Sequence, residues 1–256
     1  MSKIGVIIQA RMSSTRLPNK IMLNLVEKPV LWHVIERCKK AKVDEVIIAT
    51  SKNKENNVIE EFCKQYEVSY FRGSENDVLK RYYDTAKKFN LDIIIRITSD
   101  CPLISPEIID NLINEFNYGK ADYISNVSNR SYPRGLDVEI FSFKTLEKIN
   151  KLAKNKTERE HVTSFIYNNS QMFKLGHLIA KGILKRPDIR ITIDTKEDFK
   201  LLNIIYENLY HDNLIPIFQV IKFLNKNPLL IKINQESEKV HLVRNKNLHQ
   251  KMIIKK

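Results

Sequence analysis

The chain has 256 residues, 43% of them hydrophobic and 29% charged, the balance of a globular protein that buries a core without disulfides. Its three cysteines, Cys38, Cys63 and Cys101, lack metal-ligand spacing and read as free thiols of a reducing compartment. No apolar run approaches the roughly 18–20 residues of a membrane span, and the N-terminus has no signal-peptide core, so a cytoplasmic protein is expected. The formal net charge of +13 invites a polyanionic partner, but the lysines are scattered and many sit beside acids. The exception is Val240 to Lys256, with five basic residues and no acids. The expected organisation is one domain over residues 1–235 and a basic tail over 236–256.

In chain order, Val6-Ile7-Ile8 is a buried-strand run that breaks into Gln9-Ala10-Arg11-Met12-Ser13-Ser14-Thr15-Arg16-Leu17-Pro18-Asn19-Lys20. Ile21 to Lys40 reads mostly as helix, with Pro29 marking a helix start. Glu45 to Thr50 is a second buried strand, Asn56 to Tyr66 a helix, Val68 to Phe71 a short strand and Asp77 to Phe89 a helix. Leu91 to Thr98 is a strong strand ending at Ser99-Asp100-Cys101-Pro102, and Pro106 to Asn117 is a helix with Ser105 as its cap. This alternation of strand and helix is the signature of a parallel, doubly wound sheet. Asp122 to Ser125, Leu136 to Phe141 and Ile189 to Ile193 read as further strands, and Phe173 to Ile179 as extended. Phe143 to Ala153, Thr157 to Asn168, Glu197 to Asn208 and Ile215 to Asn225 read as helices. The change of character suggests an inserted or appended arm around residues 125–190.

Open α/β sheets bind ligands at the carboxyl ends of their strands. The loop after the first strand offers Arg11, Arg16 and Lys20 among small hydroxyl residues, a set suited to phosphate oxygens. It is neither a Walker loop nor a dinucleotide fingerprint, and from composition alone it is as consistent with ordinary surface. Asp100 leaves an apolar strand, and Asp194 repeats the situation. Either is a turn or helix-start residue or a carboxylate placed to hold Mg²⁺ against phosphates. Asp194 to Asp198 also reads as a helix start. Arg134, Asp137 and Glu139 cluster on an alternating stretch that either binds a polyol or is solvated. No Ser/His/Asp or Cys/His pattern is legible. Basic loop plus acids fits nucleotidyl transfer: a triphosphate on the loop, Mg²⁺ bridging to the acids, attack at the α-phosphorus and loss of pyrophosphate. The alternatives are a GT-A-like glycosyltransferase, disfavoured by the lack of an Asp-x-Asp motif at the Asp100 exit, and a non-enzymatic polyanion-binding protein.

The opening IIQARMSSTRLPNK resembles the P-A-R-x-x-S-x-R-L-P-x-K motif of the CMP-Kdo synthetases. With FRGSENDVLKRYYD, RITSDCPLI, YPRGLDVEIF, EREHVTSFIY and IRITIDTKEDF, the chain is similar over residues 3–210 to the cytidylyltransferase superfamily. That superfamily includes the acylneuraminate cytidylyltransferases, and the similarity is strongest to the spore-coat polysaccharide biosynthesis protein F group. The resemblance implies a Rossmann-like, mostly parallel sheet with helices on both faces (nucleotide-diphospho-sugar transferase-like) and a β-rich dimerisation arm, here around residues 130–170. It implies an enzyme that uses CTP and Mg²⁺ to make a CMP-activated sugar for surface polysaccharide or glycan, from a 2-keto sugar acid or related acceptor. Arg11, Lys20 and Asp100 are then the catalytic residues, with Ala10, Ser13 and Ser14 in the triphosphate loop. Arg72, Gly73 and Asp77 lie by the nucleotide, Arg134, Asp137 and Glu139 on the acceptor side, and Asp100 and Asp194 hold Mg²⁺. Two departures bear on the acceptor. Gln9 stands where the Kdo and sialate enzymes have Pro, and Ser99-Asp100-Cys101-Pro102 replaces the G-D-E-P of the Kdo type.

Overall fold

The computed structural model describes residues 2–235; the basic tail expected over 236–256 lies outside them. The strands are β1 Ile4–Gln9, β2 Asn24–Leu25, β3 Lys28–Pro29, β4 Glu45–Ser51, β5 Ser69–Gly73, β6 Ile93–Thr98, β7 Tyr123–Ser125, β8 Glu139–Ser142 and β9 Leu175–His177. The helices are α1 Val30–Cys38, α2 Asn57–Gln65, α3 Val78–Lys88, α4 Pro106–Gly119, α5 Phe143–Leu152, α6 Lys156–Glu160, α7 Ser164–Asn168, α8 Lys196–Leu209, α9 Ile217–Lys226 and α10 Pro228–Ile231. No helix among the described residues is long and apolar enough to cross a membrane.

The main sheet has seven strands in the order β5-β4-β1-β6-β8-β7-β9. The β5, β4, β1 and β6 neighbours pair in parallel, β8 runs antiparallel to both β6 and β7, and β9 is parallel to β7. Strands inside such a sheet are apolar on both faces because helices cover both. Val6 and Ile8 accordingly enter one core with α1, α4, α8 and α9, while Ile7 enters a second with α3, α5 and α7. The mostly parallel sheet with helices on both faces is the fold the sequence predicts. The strands within the region expected to form an arm, β8 and β9, pair into the main sheet on either side of β7. All three cysteines are buried free thiols.

Several expected boundaries are corrected. The helix expected over Ile21 to Lys40 forms only as α1. Pro29 cannot lie inside a helix, since it lacks an N–H and its ring pushes the preceding residue extended. The chain before it makes a 3₁₀ turn, Lys20–Met22, and the β2–β3 hairpin, with Val26 in the left-handed region at φ 58°. The helix expected over Thr157 to Asn168 is split into α6 and α7, with Val162 at φ 55° between them. Only the end of the Leu136 to Phe141 stretch joins the sheet, as β8. Ile189 to Ile193, expected as a strand, forms none and makes a single isolated bridge, Arg134 to Arg190. Its backbone bonds go instead to Arg134 and, from the Ile193 N–H, to the Asp100 carbonyl at 2.9 Å.

Candidate active site

Register brings the strand exits together. Gln9 of β1 pairs with Ala49 of β4 on one side and with Thr98 of β6 on the other. The basic loop therefore leaves the sheet between the β4 and β6 exits. Ala10 is buried and its N–H donates to the Ala49 carbonyl at 3.2 Å. Asn19 takes the left-handed conformation at φ 58°, which Asn tolerates better than most residues. It starts the 3₁₀ turn that carries Lys20.

Lys20 is the centre of the arrangement. Its Nζ donates to Asp100 Oδ2 at 2.5 Å and to Asp194 Oδ1 at 2.7 Å. The Ile193 N–H and the Thr192 hydroxyl both donate to the Asp100 carbonyl, the hydroxyl at 3.1 Å, which ties the two carboxylate-bearing segments to one another. The two aspartates that the sequence places at separate exits therefore meet at one point. Arg16 Nη2 lies 3.2 Å from Asp194 Oδ1, and Arg190 Nη2 donates to Asp194 Oδ2 at 3.0 Å. Burial opposes ionisation of Asp194, but the charge and hydrogen bond of Lys20, with Arg16 and Arg190 beside it, hold the carboxyl below its usual range. Burial likewise disfavours the Lys20 ammonium, and the two aspartates outweigh it and raise its pKa.

Behind Asp194 is a buried support that the sequence shows only in part. Thr195 and Asp198 form the capping box of α8, which the helix-start pattern predicts. Asp198 is fully buried and does more than cap. It accepts from Arg190 Nε at 2.8 Å and Nη2 at 3.0 Å, from the N–H groups of Asp194 and Thr195, each at 3.0 Å, and from Asn234 Nδ2 at 2.8 Å. Arg190 thus spans Asp194 and Asp198. The alternation of Arg190, Thr192 and Asp194 with buried Ile189, Ile191 and Ile193 was the available sequence signal for one polar face.

On the other flank, Arg11 Nη1 donates to Glu75 Oε1 at 3.0 Å, with Ser13 Oγ 3.5 Å from the same oxygen. Asn56 is fully buried; its Oδ1 accepts from the Met12 N–H at 2.8 Å, and its Nδ2 donates to Ser51 Oγ at 2.8 Å. Burial would raise the Glu75 carboxyl, but Ser51 and Arg11 bring it below its usual range. Glu75 and Asn56 were not recognised in the sequence, because neither belongs to an apolar-strand exit. Ser14 Oγ accepts within the loop from the Leu17 N–H at 3.4 Å.

The remaining predicted residues are placed on other partners. Arg72 spends its guanidinium on the Ser51 carbonyl at 3.0 Å, Glu60 Oε2 at 2.6 Å and the Asn53 carbonyl at 3.0 Å. Gly73, beside it, ends β5 against Arg81, whose Cγ would lie 2.9 Å from an added Cβ. Asp77 caps α3 by accepting from the Lys80 N–H at 2.9 Å and pairs with Arg159 Nε at 2.7 Å. Asp137 is held by Arg130 through two bonds of 2.7 and 3.0 Å. Glu139 is buried, ion-paired with Arg96 and bonded by the Tyr123 and Tyr167 hydroxyls at 3.0 and 3.2 Å. Arg96 also donates to Gln9 Oε1 at 3.2 Å. Of the pair that alternates along this stretch, Asp137 is half-buried and Glu139 is buried, and Arg134 is anchored through its backbone by the bridge to Arg190.

The donor set at Asp100 and Asp194 is two hard carboxylates already gathered round one cation, which fits Mg²⁺ held by one or two carboxylates and completed by phosphate and water.

A family model for cytidylyltransferases matches residues 5–233. An uncharacterized protein of Methanocaldococcus jannaschii is 46% identical over 235 residues, covering 91% of this chain and 94% of its own. The spore coat polysaccharide biosynthesis protein SpsF of Bacillus subtilis is 32% identical over 236 residues, covering 89% and 96%. Among solved structures, a cytidylyltransferase from Leptospira borgpetersenii superposes with a TM-score of 0.84 at 36% identity, covering 90% of this chain and 97% of that one. With the match spanning nearly the whole described fold, this chain belongs to the cytidylyltransferase family and is a nucleotidyltransferase.

Proposed function

We propose that the protein transfers CMP from CTP to a sugar-type acceptor, a 2-keto sugar acid or a related compound, with release of pyrophosphate, for surface polysaccharide or glycan synthesis. The observation that carries this reading is Lys20 joined to Asp100 and Asp194 at the mouth of β1 and β6, with Arg11 and Arg16 on the same loop. Arg11, Arg16 and Lys20, with the Ser13 and Ser14 hydroxyls, bind and orient the triphosphate and neutralise charge that builds on the leaving pyrophosphate. Asp100 and Asp194 would hold Mg²⁺, which when bound supplies a Lewis acid between carboxylate and phosphate. An acceptor oxygen forms its bond to the α-phosphorus as the bond to the bridging oxygen of the pyrophosphate breaks, and the acceptor proton leaves to solvent. Alignment and charge neutralisation are enough for this step, so no protein nucleophile is required.

Gln9, which ends β1 and accepts from Arg96 of β6, is where acceptor choice is read in this scheme. The enzyme works as a cytoplasmic homodimer in the same proposal, which light scattering tests. The direct test is to incubate the protein with CTP, Mg²⁺ and a panel of 2-keto sugar acids and phosphorylated sugars and to measure pyrophosphate. Release with one acceptor class is the expected outcome. No release with any acceptor, together with no CTP-dependent rise in melting temperature, would refute it.

A further inference from the structure

The Lys20 ammonium occupies the space between the two carboxylates proposed to hold a divalent cation. It lies 2.5 Å from one oxygen of Asp100 and 2.7 Å from one of Asp194. Mg²⁺ binds oxygens at about 2.1 Å, so an ion bridging the same two oxygens would occupy the volume of Nζ. The other oxygen of Asp194 is taken by Arg190 at 3.0 Å, and Arg16 adds a second cation 3.2 Å from the shared one. Free metal must therefore displace an ion pair that is only 13% exposed on the lysine side. It would gain two carboxylates in return, leaving most of its coordination shell to water. A triphosphate changes this balance. It offers Lys20 and Arg16 anionic oxygens of its own, and it brings further ligands to the metal.

We propose that Lys20 is the place-holder for the divalent cation in the free enzyme, and that the metal enters only as the triphosphate draws Lys20 off Asp100 and Asp194. This inference rests on the reading given under Proposed function and adds an order of binding to it. Because linkage is reciprocal, whatever Lys20 takes from metal affinity in the free enzyme it returns as coupling between nucleotide and metal.

The test is a titration of the nucleotide-free protein with Mn²⁺, counting unbound Mn²⁺ by its electron paramagnetic resonance signal. Lys20→Met is expected to bind one Mn²⁺ at least tenfold more tightly than wild type, and the added Asp194→Asn substitution to abolish that site. Lys20→Arg keeps a cation in place and is expected to stay as weak as wild type. Thermal melts check that each variant is folded, and Lys20→Gln replaces Lys20→Met where the latter is not. The same competition is read from the other side by Asp100→Asn, expected to bind CTP in excess EDTA several-fold more tightly than wild type, since Lys20 is then held by one carboxylate fewer. Wild-type protein that binds Mn²⁺ as tightly as Lys20→Met overturns the place-holding role. If wild type also releases pyrophosphate with an acceptor, only the order of binding has failed. If it does not, and Asp194→Asn leaves Mn²⁺ binding untouched, the metal assignment fails with it.

Discussion

Replacing Asp198 by alanine tests whether the buried support behind the site is built as described. Asp198 is fully buried and receives five hydrogen bonds, two from Arg190, two from the Asp194 and Thr195 N–H groups and one from Asn234. The substitution removes the carboxylate and leaves the guanidinium of Arg190, itself 2% exposed, without this partner. Breaking a buried ion pair from one side costs about 3–5 kcal/mol, because the remaining charge has been removed from water. Loss of the capping box overlaps with this figure and is not added to it. Against a total stability of roughly 5–15 kcal/mol, the urea midpoint should fall by about 1–2 M. Asp198→Asn, which keeps the shape and one acceptor oxygen, should fall between the two. The assay is equilibrium urea unfolding followed by circular dichroism. A loss of less than about 1 kcal/mol for Asp198→Ala would refute the buried pair as the anchor of the Asp194 segment.

Asp100→Asn should lower the rate of pyrophosphate release by at least about a hundredfold with little change in melting temperature, and full activity would remove Asp100 from the proposed metal site. His33 is buried with its Nε2 donating to the Leu25 carbonyl at 3.0 Å, and burial followed by the nearby Arg37 charge lowers its pKa from 6.5 to about 4 despite that bond. The unfolded chain then takes up a proton that the folded one refuses. Stability should fall as pH drops from about 6.5 toward 4, by up to about 3 kcal/mol, and His33→Gln should flatten that slope in pH-dependent urea melts. Gly135 has φ 104°, and a Cβ there would lie 2.5 Å from the Ile191 carbonyl oxygen. Gly135→Ala should cost about 1–3 kcal/mol, and a neutral result in the same melts would place no constraint on this turn. Asn56→Ala leaves the Met12 N–H without its 2.8 Å acceptor. It should raise KM for CTP in steady-state kinetics, and an unchanged KM would separate Asn56 from the loop's function.

The class of fold was legible in the sequence because it follows from local pattern. Val6-Ile7-Ile8 has to be a strand buried on both faces, and the alternation of such runs with amphipathic stretches permits little besides a parallel sheet. Asp100 and Asp194 stood out because each follows a run read as a strand, and Asp194 to Asp198 because its acids suit the first turn of a helix. Where a local signal competed with a stronger one, the stronger won: Pro29 shortened the helix expected from Ile21, whatever the apolar spacing around it.

What the sequence left open were distances between residues far apart along the chain. Lys20 and Asp194 are 174 positions apart and meet at 2.7 Å. They do so because the Ile193 N–H and Thr192 hydroxyl bonds to the Asp100 carbonyl, with the backbone bonds to Arg134, dock a segment that never joins the sheet as a strand. Partner choice was equally hidden. Arg72, Asp77 and Glu139 look like site residues in the chain, yet each is claimed by a charged side chain from elsewhere: Glu60, Arg159 and Arg96. A buried or half-buried charge takes the nearest counter-charge the fold supplies, and only the tertiary structure decides which one that is.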